Sequence, residues 1–339
     1  MIHGIILTSV CLLLQSDDPV RPANRTSGPD SAQLRATVDR GIQVVQKAAA
    51  NYPKNRNCFS CHHQTLPMLA MVATRDRNIA IDDELLKSQA EFTHKSFQER
   101  IEPMREGKGI GGMAMTVAYG LWTLALVDWK PDETTEAMVT FLIKTQKDDG
   151  RWVFQTSRPP MEASYVTCTV LSAYYLQKFA SDSQRESAGA AVAKALSWLD
   201  SANVESGEDR VFLLWGLHLL GAEKDQIQTA RERLLTAQRD DGRWAQLDDM
   251  ESDAYATGQS MYVLQATGLA VSDATYQRGV AYLLKTQLDD GSWRVETRSK
   301  PVQVFFDNGD PHGEHQFISI PATSWAVAAL VAAVDQGKR

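Results

Sequence analysis

The sequence predicts an all-α fold, a single α6/α6 toroid (barrel) of six helical hairpins over residues 31–339. Three observations favour it. A Gln-x-Asp-Asp-Gly-x-Trp segment starts at Gln146, Gln238 and Gln287, at spacings of 92 and 49 residues. These spacings indicate a repeat of about 45–50 residues with one degenerate copy. Apolar residues recur every three or four positions, which indicates helices, and helices with a charged face alternate with apolar ones, as in a closed ring.

The composition allows a large core and argues against several functions. The 339 residues leave room for two domains of about 150 residues each, but the repeats favour one continuous fold. Hydrophobic residues make up 43% and charged residues 23% of the chain, which excludes wholesale disorder. The net charge is −7 and no basic block occurs, so neither nucleic-acid binding nor a polybasic membrane patch is expected. No run of 18 apolar residues is found, so no transmembrane span is predicted.

The N-terminus resembles an export signal followed by a linker. Residues 5–14 form an apolar run of the length typical of a signal peptide, although no Lys or Arg precedes it and no Ala-x-Ala site follows. We interpret residues 1–15 as a candidate signal peptide. Residues 16–30 are rich in Pro, Ser and Asp, which is typical of a linker. We therefore expect an exported, periplasmic protein.

Two sets of predicted helices alternate along the chain. The outer helices carry one charged face and are predicted to begin near residues 31, 82, 132, 186, 225 and 272. The inner helices are more apolar and are predicted over residues 62–74, 113–127, 163–179, 209–220, 253–267 and 322–334. The last helix is too apolar to cap an open solenoid, which favours closure into a ring. Residues 302–306 are the best strand candidate.

The repeated segments are predicted to lie at helix ends, because Asp-Asp-Gly is a turn whose Gly supplies a positive φ. The Gln-x-x-Asp-Gly-x-Trp pattern resembles the QW repeats of squalene–hopene cyclases. The alternation of helices is similar to the α/α toroid shared by terpenoid cyclases and protein prenyltransferase β-subunits. This resemblance covers most of the chain. It implies structural roles for the repeated side chains, which are Gln146, Trp152, Gln238, Trp244, Gln287 and Trp293.

Cyclase chemistry would need an acid at the start of an inner helix. Hopene-type cyclases use an Asp-x-Asp-Asp motif held protonated by burial and by like charges. The comparable acidic stretch, residues 247–255, does not keep that motif intact. Asp253 and Asp249 are the candidate acids. The alternative is a solvated loop with a helix N-cap at Ser252 or Asp253.

Two further features of the family have weak counterparts here. Prenyltransferase β-subunits hold zinc with Asp, Cys and His, but no His is suitably spaced from Cys168, so we interpret that residue as a small buried hydrophobe. Inner-helix aromatic residues either pack in the core or line an apolar pocket that stabilises a cation. They are Tyr119, Trp122, Tyr165, Phe212, Trp215, Tyr255, Tyr262 and Trp325.

The motif that most strongly indicates chemistry is Cys-Phe-Ser-Cys-His at residues 58–62. Cys-x-x-Cys-His is the signature of haem c attachment, with Cys58 and Cys61 as thioether anchors and His62 as the proximal iron ligand. With its neighbours, Cys-x-x-Cys-His-His-Gln-x-Leu-Pro, it looks like the motif of exported bacterial haem c proteins with squalene-cyclase-like repeats. Two alternatives stay open: a zinc site that includes His63, and a disulfide between the two cysteines.

The position of the motif predicts a haem at the mouth of the toroid, where the inner helices begin. The sixth iron ligand has several candidates. We favour His312 in the last loop, and the alternatives are His315, Met161, Met250, Met113 or an open position. His63 is poorly placed because adjacent helical residues point about 100° apart.

The sequence therefore predicts a redox role, either electron transfer or oxidation of a ligand at the toroid mouth. The partner would be an unknown redox protein or an apolar small molecule. The alternatives are a non-redox enzyme resembling a terpenoid cyclase, a binder of apolar ligands, and an exported interaction module stapled by a metal or a disulfide.

Overall fold

The computed structural model describes residues 30–300 and 304–335, and it confirms the all-helical prediction. The candidate signal peptide and all of the predicted linker except Asp30 lie outside the described residues. In chain order the helices are α1 (Ser31–Asn55), a π-helical turn (Cys61–Thr65) that runs into α2 (Leu66–Arg75), α3 (Asp83–Gln98), α4 (Ile101–Arg105), α5 (Met113–Ala125), α6 (Glu133–Thr145), α7 (Tyr165–Phe179), α8 (Arg185–Asp200), α9 (Gly207–Leu219), α10 (Lys224–Thr236), α11 (Ala254–Ala266), α12 (Ala274–Thr286) and α13 (Gln316–Ala332).

The helices form an inner and an outer ring. The inner ring is α2, α5, α7, α9, α11 and α13, and α13 packs on both α11 and α2, which closes the circle. The outer helices are α1, α3, α6, α8, α10 and α12. They are amphipathic: α12 buries Tyr276, Gly279, Val280 and Leu283, which lie on one face. By contrast, α13 is buried around its whole circumference. In the part of the chain that the structure describes, no helix is long and apolar enough to cross a bilayer.

The repeated Gln and Trp side chains join the hairpins. In the last copy, the Gln287 amide donates to the carbonyl of Gly291 at 2.9 Å and to that of Thr37 in α1 at 2.8 Å, which links the end of α12 to α1. The Trp293 indole N–H donates to the Leu283 carbonyl in α12 at 3.0 Å. Equivalent bonds are made by Gln146, Trp152, Gln238 and Trp244. The bond from Gln287 to Thr37 therefore closes the ring.

The centre of the ring is filled by aromatic side chains. The ring of Trp122 lies 5.2 Å from that of Trp215, 6.1 Å from that of Tyr175 and 6.2 Å from that of Trp325, measured between centroids. Tyr262 completes the group at 5.4 Å from Trp325. At the centre of the ring these aromatic side chains therefore pack against one another as part of the core.

Three details differ from the sequence-based expectations. The last inner helix starts at Gln316 instead of residue 322, with Pro321 inside it. The Gln316 side chain donates to the Phe306 carbonyl at 2.7 Å and accepts from the Asn308 amide at 3.2 Å, which fixes that earlier start. Of the strand candidate 302–306, the described residues 304–306 form no strand. Tyr165 is 45% exposed and packs against the ring of Phe154, so it does not point into the ring of helices.

Candidate functional site

A cavity of about 830 Å³ lies at the end of the ring where the inner helices begin. Its wall includes the π-helical turn, the first turns of α5 and α13, the end of α3, and the loops 156–162 and 297–300. Cys58, Cys61 and His62 all line it. The volume lies within the range of about 300–1,000 Å³ that is typical of ligand and cofactor sites. The sequence-predicted motif and the large cavity therefore coincide at the predicted mouth.

The backbone of the motif is unusual. The chain leaves α1 at Asn55, is extended at Ser60, and then forms the π-helical turn in which the Leu66 N–H donates to the Cys61 carbonyl. Pro67 follows in the first turn of α2 and has no N–H to donate, so the α-helical hydrogen-bond pattern cannot continue unbroken through it. Such turns are frequent at functional sites. The turn presents Cys61 and His62 to the cavity.

The two adjacent histidines have different surroundings. The His62 imidazole meets the ring of Phe317 edge-on at 5.2 Å, and its Nδ1 lies 3.5 Å from the Cys61 sulfur. His63 is fully buried away from the cavity, stacked on Tyr52 at 4.6 Å and within 3.3 Å of the Ser60 hydroxyl. Burial lowers the pKa of His63 to about 3 and holds that of His62 well below its usual value. Both imidazoles are therefore neutral at neutral pH, the form in which His binds metals.

Glu162 lies beside the motif although 101 residues separate it from Cys61 in sequence. Its Oε1 accepts from the Cys61 thiol at 3.4 Å and from Arg158 at the same distance, while its buried Oε2 has no hydrogen-bond partner. Backbone bonds of 3.3 and 3.0 Å between Arg158 and Glu162 hold this loop. The ligand atoms of Cys61, His62 and Glu162 all lie within 4.8 Å of one another. Burial, then the Glu162 charge, raises the pKa of the Cys61 thiol.

The candidate sixth ligands fall into two groups. His312 and His315 are not among the described residues that line the cavity: the Nε2 of His312 lies 2.6 Å from the Ser292 hydroxyl, and the Nδ1 of His315 accepts from the Thr297 amide at 3.2 Å. Met113 and Met250 are also outside the lining. Met161 is buried and lines the cavity.

Sequence reasoning missed one thioether in this wall. Met115 lies in the first turn of α5 and lines the cavity as well. Its signal in the sequence was its place two residues after Met113 in the same predicted inner helix.

The candidate cyclase acids lie away from the cavity. Asp253 is the N-cap of α11 and accepts from the Ala256 amide at 2.8 Å and from the Gln246 side chain at 2.7 Å. Burial raises the pKa of Asp253. Asp249 is exposed, and the cavity lining includes neither residue.

The interior holds a buried acid that sequence reasoning missed. Glu208, in the first turn of α9, accepts from the Tyr255 hydroxyl at 2.9 Å and from Gln259 at 3.0 Å, and burial raises its pKa to about 7. Its signal in the sequence was Ser-Gly-Glu-Asp at an inner-helix start.

The cysteines show no covalent bridge. Cys58, Cys61 and Cys168, the cysteines among the described residues, are all free. Cys168 is fully buried in α7, as expected of a small hydrophobe. Cys58 is exposed, and its sulfur lies 3.6 Å from the Tyr52 hydroxyl. Both thiols of the motif are therefore available for other chemistry.

Comparison with known proteins shows the fold of the chain but not its activity. No protein-family model matches the chain. Over 163 residues it is 26% identical to lanosterol synthase of Candida albicans, a match that covers 40% of this chain but only 22% of that enzyme. The type II terpene cyclase MstE from Scytonema superposes with a TM-score of 0.56 at 16% identity, over 89% of this chain and 99% of that one. The chain has the α/α-toroid fold of the terpene cyclases.

The same toroid is also found outside the cyclases. A polysaccharide lyase superposes with a TM-score of 0.59 at 14% identity, over 90% of this chain and 97% of the lyase. Because one fold carries different reactions, the function has to be argued from the cavity and its side chains.

Proposed function

We propose that this toroid binds one haem c in the cavity at its mouth and has a redox role. The observation that carries the proposal is that Cys58, Cys61 and His62, the three residues of the attachment motif, line one cavity of about 830 Å³. Each thiol would add across a vinyl group, its sulfur to one carbon and its hydrogen to the other. Attachment of this kind takes place outside the cytoplasm, which agrees with the export expected from the N-terminus.

The residues around the cavity suit such a group. Both thiols are unbridged, and the buried His62 is neutral, which is the form in which an imidazole binds iron. Phe59, Phe97 and Ile318 supply apolar surface that excludes water. Arg100 and Lys300 also line the cavity and would provide cationic partners for the carboxylates of the haem.

A bound haem would supply one-electron chemistry. The protein would hold the group by two sulfurs and one imidazole, and Cys58 is exposed, so one edge of the group would lie near solvent. That arrangement suits electron transfer to a partner that docks at the mouth, or oxidation of a small molecule held there. The packed aromatic centre of the ring leaves the mouth as the reaction site.

The test is an absorption spectrum of protein produced in the periplasm with haem-maturation genes, with a pyridine haemochrome assay and intact mass. We expect a c-type spectrum and the added mass of one haem, both lost in Cys58→Ala/Cys61→Ala. Cys168→Ala is the matched control, since that thiol is buried away from the cavity. Colourless protein of unmodified mass would overturn the haem proposal.

A second candidate is a non-redox protein that binds a metal ion and an apolar ligand in the same cavity. It is favoured by the cluster of Cys61, His62 and Glu162 within 4.8 Å, and by the unpartnered Glu162 Oε2. Three protein ligands and one open position are typical of a catalytic zinc site. Among structures of the same fold, a variant of MstE was solved with geranylgeranyl dihydroxybenzoate as substrate, at a TM-score of 0.57 and 15% identity.

Two single variants separate these candidates. Cys58→Ser removes a thioether anchor but leaves the three-residue cluster complete, so it disturbs haem attachment and not zinc binding. Glu162→Gln removes a carboxylate ligand but leaves the Cys-x-x-Cys-His motif complete, so it weakens zinc binding and not haem attachment. Metal content by mass spectrometry and the haemochrome assay on both variants therefore give opposite patterns for the two candidates.

A further inference from the structure

We infer that Arg158 and Glu162 form a subsite for a neutral group that both donates and accepts hydrogen bonds, such as the hydroxyl of an apolar alcohol. For its role the inference rests on the proposed function, because it names the class of small molecule that the mouth of the toroid would hold. Both residues line the cavity, and both belong to the loop before α7.

The backbone places the two side chains next to each other. Arg158 and Glu162 pair in an isolated antiparallel bridge, with N–H to carbonyl bonds of 3.3 and 3.0 Å. Residues that face each other in such a bridge have their side chains on the same side of it. The Ser164 hydroxyl donates to Asp209 at 2.5 Å and ties the end of the loop to α9. The two side chains are therefore held in place before any ligand binds.

Glu162 supplies a buried acceptor. Its side chain is 7% exposed, and its Oε1 accepts from the Cys61 thiol and from Arg158, both at 3.4 Å. Its Oε2 is buried and has no hydrogen-bond partner among the described residues. The Thr156 hydroxyl, in the same loop and the same cavity wall, is also buried without a partner. Because a buried acceptor without a donor is costly, Oε2 indicates a donor on a molecule in the cavity.

Arg158 supplies donors beside that acceptor. Among the described residues its guanidinium makes one hydrogen bond, to the Glu162 Oε1, and a guanidinium has five N–H groups. A hydroxyl or a primary amide can donate to Oε2 and accept from Arg158 at the same time. A carboxylate only accepts and would be repelled by Glu162, whereas an ammonium only donates and would be repelled by Arg158. The pair therefore selects a neutral group over either charged one.

The remaining wall indicates an apolar body for the ligand. Phe97, Ile110, Phe317 and Ile318 line the same cavity. Because Glu162 contacts Cys61, a group bound to this subsite would lie beside the attachment motif. Of the two redox roles proposed above, this position favours the one in which a small molecule is held at the mouth.

The test is isothermal titration calorimetry of holoprotein with four eight-carbon compounds, which are 1-octanol, octanamide, octanoate and octylammonium. We expect the alcohol and the amide to bind roughly 10–100-fold more tightly than the two ions, the range that a hydrogen bond to a charged group provides. Arg158→Met removes the donors and should shift the preference to octylammonium. Glu162→Leu removes the acceptor and should shift it to octanoate. A merely structural role would weaken the binding of all four compounds alike.

Arg210→Met is the matched control. It breaks a bidentate pair with Asp248, with two contacts of 2.8 Å, and neither residue lines the cavity. This variant should keep the wild-type order of affinities. Circular dichroism checks the helical content of each variant, and the wild-type order needs no variant, so it decides even where a substitution destabilises the fold.

Several results would overturn the inference. These are equal affinities for the four compounds in the wild type, tightest binding of either ion, or no binding at all. One zinc per chain that is lost in Glu162→Leu would assign Oε2 to a metal instead. A haemochrome assay on the same samples keeps the two proposals distinct. Colourless protein that binds in the expected order would overturn the haem and leave the subsite, and haem-loaded protein without that order would do the reverse.

Discussion

The closure of the ring at Gly291 can be tested with a series of glycine substitutions. Gly291 has φ +88° and lies where the chain leaving α12 approaches α1. A Cβ atom at this position would lie 2.8 Å from the Arg40 carbonyl oxygen and 2.9 Å from the Arg40 carbonyl carbon. Because the obstacle is backbone, it cannot be relieved by turning a side chain. Gly291→Ala should therefore destabilise the protein in two ways: by the cost of a positive φ for alanine and by the clash of its methyl group with the Arg40 backbone.

Two other glycines separate these contributions. Gly221 has φ +70°, and a methyl group added to it would meet no atom within 4 Å; Gly189 lies in α8 and has the same open space around it. Gly221→Ala should cost only the left-handed conformation, about 1–2 kcal/mol. Gly291→Ala adds an overpacking cost of about 1–3 kcal/mol, for a total of about 2–5 kcal/mol. Gly189→Ala should stabilise the protein by roughly 0.5–1 kcal/mol, because Ala favours helix.

The assay is urea unfolding followed by far-ultraviolet circular dichroism, with the free energy of unfolding compared across the three variants. The expected order of stability is Gly189→Ala, wild type, Gly221→Ala, Gly291→Ala. Equal losses for Gly221→Ala and Gly291→Ala would refute the reasoning, since the close approach to Arg40 would then contribute nothing.

Two acidic residues give further predictions. Burial raises the pKa of Glu208 from 4.5 to about 7, so the folded protein holds a proton that the unfolded chain has lost between these pH values. The free energy of unfolding therefore falls by about 3 kcal/mol as pH rises through this range. In urea titrations, the free energy of unfolding of Glu208→Gln should therefore rise relative to that of the wild type as pH increases from about 4.5 to about 7. A difference between the two proteins that does not change with pH would contradict the assigned burial. Asp253 acts as an N-cap, so Asp253→Ala should lose about 1 kcal/mol and Asp253→Asn almost nothing. Loss of turnover of an apolar polyene in Asp253→Asn, with stability unchanged, would instead establish an acid role.

The fold was predictable because local signals repeat. The apolar periodicity located α5, α7, α9 and α11 within two residues at their starts. The repeated Gln and Trp side chains were also visible in the sequence, and Gln287 and Trp293 form bonds within and between hairpins. These signals can be recognised in a sequence because each depends on neighbours along the chain or on the next repeat.

Much of the candidate site could not be recognised in this way. Glu162 reaches Cys61 only because the loop before α7 folds back over the mouth, and no pattern links residues 101 positions apart. His312 is the sixth ligand that the sequence favours, but its ring contacts Ser292 instead. The apolar residues predict the last inner helix from residue 322, whereas the side chain of Gln316 sets its start six residues earlier. Each error arose where a long-range contact overrides a local signal.

A closed ring also has consequences for how the chain can be cut. The inner helices begin at the cavity, so α13 ends on the opposite side of the ring. The outer helix α1 runs toward the cavity and ends before the Cys58 motif, so α1 starts on that opposite side as well. With α13 packed on α1, residues 31 and 332 lie on the same side of the molecule. The fold is therefore suited to circular permutation: a linker could join these positions, and new termini could open at Gly221, where the surroundings are empty. Every hairpin would keep its neighbours, and α1 would still pack against α13.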